Sequence, residues 1–140
     1  MNIFLEIVTN KFIYLPVLTW FCIQLYKFIV DLIKTKKFYF KHFLAAGGMP
    51  SSHSAVVCCL SALIGKEYGF SSGIFAFIVM YDAAGVRRAA GKQAKLLNKL
   101  VETPELTTGE VHEKLVEVLG HTPVQVIVGA IIGLLVGGLL

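Results

Sequence analysis

The chain has 140 residues, enough for one domain, and a formal charge of +4 at neutral pH. Hydrophobic residues make up 56% and the mean hydropathy is +0.72. This excludes an ordinary soluble domain of this size, which must cover itself with charge.

The first apolar segment covers residues 12–33. At ~1.5 Å per residue it can cross a ~30 Å hydrocarbon core. It lacks a basic leader and a small-residue cleavage site, so it reads as a retained helix. Lys27 and Asp31 lie at i, i+4 near its end, placed to pair or to snorkel. The second segment, 50–65, opens on Pro50, Ser51 and Ser52, residues suited to a helix start. A brief link at 66–69 makes the third segment its antiparallel neighbour. The third runs from residue 70 through an apolar stretch into a basic stripe of Arg88, Lys92, Lys95 and Lys99, giving one helix over 70–99. Thr103 and Pro104 end it, and 105–119 has the spacing of an amphipathic surface helix. The last segment, 122–140, has Pro123 in its first turn. The expected fold is therefore all-α: a single polytopic membrane helix bundle of about four transmembrane helices plus a short surface helix. Cys22, Cys58 and Cys59 lie within apolar runs, are odd in number and form no C-x-x-C pair, so they read as packing residues.

Basic residues gather after the first segment and after the third. The positive-inside rule puts both clusters in the cytoplasm of a multi-pass cell-membrane protein. No nucleic-acid motif accompanies them, and nucleic acid is not an expected partner. Alternating helix direction then brings Pro50-Ser51-Ser52-His53, Asp82, Arg87, Arg88, His121 and the lysines at 34–37 to the cytoplasmic face. Convergent charge at that depth marks a candidate site. Helix-start N–H groups and guanidinium forks suit phosphate oxygens, which points to a phosphorylated small molecule or lipid. No metal is expected, because the histidines lack H-x-x-x-H or H-E-x-x-H spacing, and no cofactor is implied.

Three runs in order carry a specific resemblance: Gly47-Gly-Met-Pro-Ser-Ser-His-Ser-Ala55, Tyr81-Asp-Ala-Ala-Gly-Val-Arg-Arg-Ala-Ala-Gly-Lys-Gln-Ala94 and Leu119-Gly-His-Thr-Pro-Val-Gln-Val-Ile-Val-Gly129. Together they resemble the divergent branch of the type 2 phosphatidic acid phosphatases, the acid phosphatase/vanadium-dependent haloperoxidase-related membrane proteins. The parent signatures are K-x6-R-P, P-S-G-H and S-R-x5-H-x3-D. The resemblance implies His121 as nucleophile and His53 as the acid for the leaving group. It implies that Lys37, Arg87 or Arg88, and Ser51 and Ser52 at the helix start, hold phosphate. Such a site hydrolyses a phosphate monoester or diphosphate.

The departures are specific. No R-P follows the lysines at the family spacing, and the arginines stand about 33 residues before His121. Gln125 occupies the place of the final Asp, able to orient the imidazole without bringing charge. Asp82 is either a replacement for that acid or an ion-pair partner of Arg87 or Arg88. These departures keep a second reading open, a phospholipid-binding or transport-related protein that retains the phosphate pocket without catalysis. His121, Gln125, Gly129, Gly133 and Gly137 recur every four residues, a packing seam for a helix of this chain or of a second copy in a homodimer.

Overall fold

The computed structural model describes residues 7–36, 48–69, 71–102, 115–117 and 119–140. It is all-helical among these residues. Five helices follow one another: α1 (Lys11–Thr35), α2 (Ser52–Tyr68), α3 (Ser72–Ala84), α4 (Val86–Val101) and α5 (Pro123–Leu139).

Local chemistry sets the helix ends. Asn10 caps α1 by accepting from the Phe12 N–H (3.0 Å), and Lys36 closes it in the left-handed region with its N–H on Leu32 O. At 25 residues α1 is, among the described residues, the one helix long and apolar enough by itself to cross a membrane. Helices α2 and α5 have 17 residues each and α3 has 13, about 25 Å and 20 Å at the helical rise.

The glycines of the last helix close a seam inside the chain. A Cβ on Gly129, Gly133 or Gly137 would strike the carbonyl oxygen of Ser51, Ala55 or Cys59 in turn. The matched four-residue steps run the same way along both helices, so α2 and α5 are parallel and their backbones touch. Across the other faces of α2 the register reverses. Thr19, bonded to Leu15 O (2.8 Å), lies against Cys59, and Lys11 pairs with Glu67, so α1 is antiparallel to α2. Ser72 Oγ donates to Ser61 O (3.0 Å), and Ala76, Val79 and Met80 pack on Val57 and Cys58, so α3 is antiparallel as well. The starts of α2 and α5 therefore meet the ends of α1 and α3 at one end of the bundle.

Two elements differ from expectation. The helix expected over 70–99 breaks at Gly85, whose φ/ψ of −99°/−84° turns the chain between α3 and α4. A Cβ there would sit 2.9 Å from Tyr81 O, so the bend needs glycine. The surface helix expected over 105–119 falls largely outside the described residues. Of its end, Leu115, Val116, Glu117 and Leu119 are not helical. Asn98 of α4 holds this strip, its amide donating to Leu115 O and to Glu117 Oε1 and accepting from the Leu115 N–H (2.9 Å each). Gly91 lets the strip lie on α4, since a Cβ would come within 2.6 Å of Glu117 O.

Candidate functional site

The N-cap of α2 is built by its own sequence. Ser51 Oγ accepts from the Ser54 N–H (3.3 Å) and from the Ser54 hydroxyl (3.0 Å), and the Ser51 N–H donates to Gln125 O (3.0 Å). The Ser51 hydroxyl is thus committed to capping. Ser52 is buried in the first turn and lines, with His53, Trp20 and Phe75, a cavity of about 300 Å³. His53 follows in the same turn, its ring half-buried and its Nδ1 sealed from solvent.

His121 reaches the same place by a tertiary route. It precedes the α5 cap and is tethered by its N–H to Ala83 O (2.9 Å), one of the last carbonyls of α3. Gly120 makes this approach possible for two reasons. Its φ is +80°, and a Cβ would run into the Arg87–Arg88 backbone. The two imidazoles meet edge to face, with ring centroids 5.8 Å apart and planes at 76°. His121 is 2% exposed, and neither of its ring nitrogens has a hydrogen-bond partner among the described residues; the same holds for His53 Nδ1. Buried polar atoms are seldom left so, and functional sites are where exceptions concentrate.

Two cations act on this pair. Burial first, then the positive charges of Lys27, His53 and Arg87, push the His121 pKa down to about 4. The imidazole is therefore neutral near pH 7, the form a nucleophile needs. Lys27, Arg87 and Asp82 are also the charges that bear on His53. Arg87 is held across the Gly85 bend by Asp82, with Nε 2.7 Å from Oδ2 and both side chains about half exposed. Asp82 is thus an ion-pair partner of Arg87 and not a bonded partner of His121.

Gln125 departs from its expected role too. Its Oε1 accepts from the Thr122 N–H (2.8 Å), while Thr122 Oγ1 accepts from the Gln125 N–H (3.4 Å). This is a capping box, and it takes the oxygen that would otherwise orient an imidazole. Arg88 is not among the charges acting on either histidine; its backbone is the surface on which Gly120 packs. Lys37 lies outside the described residues. Lys27, read from sequence as a pairing or snorkelling residue, is, among the described residues, the lysine whose charge acts on both histidines. Its signal was a cation two turns inside an apolar helix. Two imidazoles meet here, but no set of three or more metal-ligating side chains gathers among the described residues.

Beside the site runs a groove of about 1290 Å³ along α1. Lys27, Asp31 and Lys34 line one end, and Leu15, Ile132 and Val136 the other. From residue 15 to residue 34 the helical rise amounts to about 28 Å.

Comparison with known proteins agrees with this architecture. A family model described as "Divergent PAP2 family" matches residues 8–136. The uncharacterized membrane protein YuiD of Bacillus subtilis (strain 168) is 40% identical over 129 residues, covering 80% of this chain and 82% of the relative. No solved structure matches.

Proposed function

Because the chain belongs to the divergent PAP2 family of membrane proteins, we propose that it hydrolyses a phosphate monoester or diphosphate at the cytoplasmic membrane face, with His121 as the nucleophile. The carrying observation is the paired imidazoles of buried His121 and half-buried His53, whose sealed nitrogens have no partner among the described residues and on which the charges of Lys27 and Arg87 act. In this reading a neutral His121 nitrogen forms a bond to phosphorus as the bond to the leaving oxygen breaks. His53 delivers the proton that the leaving oxygen takes up. Lys27 and Arg87 offset the charge on the transferring group. Water then cleaves the phosphohistidine and releases phosphate. The groove supports a lipid phosphate as substrate, because its cationic end adjoins the site and its apolar length suits a hydrocarbon chain.

One observation favours the second reading, a phospholipid-binding protein without turnover. Neither Gln125 nor Asp82 is bonded to His121, so among the described residues no carboxylate is hydrogen-bonded to the ring that attack would turn into an imidazolium. Phosphate release by purified protein from a panel of lipid and soluble phosphates separates the two. Turnover that disappears in His121→Ala and His53→Ala supports hydrolysis. Saturable lipid binding without release supports the second reading, and release that survives both substitutions removes the assignment of the nucleophile. Orientation is tested by thiol labelling in intact cells: Lys34→Cys should resist an impermeant reagent and Lys66→Cys should react.

A further inference from the structure

Helix α4 divides its surface into three sectors. Gly91, Ala94 and Asn98 form a buried seam, with Gly91 against Glu117 and Leu119 and Asn98 bonded to Leu115. Arg88, Lys92, Lys95 and Lys99 follow one another at steps of four, three and four residues, one basic stripe. Leu96, Leu97, Leu100 and Val101 form a third sector and are 63%, 49%, 54% and 41% exposed, with Gln93 interrupting it. At about 100° per residue, the apolar sector centres about 140° from the basic stripe. A helix rich in exposed leucine on one side and lysine on the other is costly in water and suited to a bilayer surface.

Its position in the fold supports the same occupant. The Gly85 bend turns the chain out of α3, whose Phe75, Phe77 and Ile78 are exposed as a lipid-facing helix requires, and of the described helices α4 packs on α3 alone. The Asn98 clamp then fixes the rotation of α4 by occupying the buried seam.

We infer that α4 is an interfacial anchor that lies in the surface of an anionic bilayer, with Leu96, Leu97, Leu100 and Val101 among the acyl chains and the stripe of Arg88, Lys92, Lys95 and Lys99 among the lipid phosphates. The inference does not depend on whether the histidine site is catalytic. Its consequence for that site is positional. Arg87 lies in the first turn of α4, so anchoring holds Arg87 and its Asp82 partner at headgroup depth.

The test uses the full chain in vesicles of phosphatidylcholine, with and without phosphatidylglycerol. Cys22 is exposed and is replaced by Ser, while the buried Cys58 and Cys59 stay unlabelled. A polarity-sensitive fluorophore is placed by Leu96→Cys or Leu100→Cys, and in separate proteins by Lys92→Cys or Lys95→Cys. Positions 96 and 100 should emit further to the blue and be quenched by nitroxides on the acyl chains, and positions 92 and 95 by aqueous iodide. Phosphatidylglycerol should increase the acyl-chain quenching at position 100, and the increase should vanish when Lys92→Glu, Lys95→Glu and Lys99→Glu are combined. Iodide quenching at 96 and 100 equal to that at 92 and 95 would overturn the inference. So would shielding of 96 and 100 from both quenchers, which means protein covers the sector. An increase that persists in the charge-reversed protein would remove the anionic surface as the partner.

Discussion

The starts of α2 and α5 lie side by side, each with a hydroxyl cap and a histidine, yet they hold their histidines differently. His53 sits inside the first turn of α2, so a few neighbouring residues place it. His121 stands before the cap of α5, and its place depends on the α3 carbonyl that binds its N–H and on the glycine before it. One histidine is positioned by local structure, the other by the fold. In the proposed reaction the nucleophile is thus the residue whose setting is fixed from furthest away in sequence.

Substitutions can break this contrast in order of effect. Gly120→Ala should be the most damaging. It places a side chain at positive φ, costing roughly 1–2 kcal/mol, and drives a Cβ into the Arg87–Arg88 backbone, adding about 1–3 kcal/mol. Unfolding in mixed micelles should show the loss, and any turnover should fall with it while the α2 start stays intact. Ser51→Ala should cost about 1 kcal/mol through the lost cap. If the two variants lose equal stability, the distinction between local and tertiary placement does not hold. Smaller still, Asp82→Asn should change stability by at most about 1 kcal/mol, because its half-exposed bond to Arg87 is screened by solvent.

Protonation sharpens the same comparison. The folded pKa of His121, about 4, lies below the ordinary value of 6.5. The unfolded chain therefore takes up the proton first as pH falls. The stability that His121 gains as a neutral group should be complete above about pH 6.5, decline toward about pH 4 and level off below. Imidazole carbon shifts followed by NMR should show His121 titrating near 4. Gln125→Glu keeps a capping residue at the third helical position and brings a carboxylate to the His121 end of α5. It should leave stability nearly unchanged and raise the His121 pKa; an unmoved titration would mean that position 125 does not act on the ring.

Much of this arrangement is legible in the chain itself. Apolar runs with Ser or Thr beside Pro mark the starts of α2 and α5, and the alternating direction of the segments brings His53 and His121 to one face. The glycine spacing in α5 marks a seam but not its partner; only the packing shows that α2 of the same chain fills it. Gly85 reads as tolerable inside a helix, and the bend depends on its close approach to Tyr81 O, which has no sequence period. Choosing between Arg87 and Arg88 requires knowing the rotation across that bend, which aims Arg87 at Asp82. The pattern Thr122-x-x-Gln125 is a readable capping box, obscured by the stronger expectation that position 125 serves the histidine. The sequence shows Lys27 only as a cation placed to pair or snorkel within its own segment, because the histidines it acts on come from elsewhere in the chain.

The central claim is that His121 is a nucleophile on a site assembled by Gly120 and Ala83. Acid-quench and base-quench trapping with radiolabelled lipid phosphate tests it most directly. The expected result is a protein-bound phosphoryl group that survives base and is lost in acid, as a phosphoramidate is, and that is absent from His121→Ala. Phosphate release in His121→Ala at the wild-type rate, with no such adduct in either protein, would contradict it.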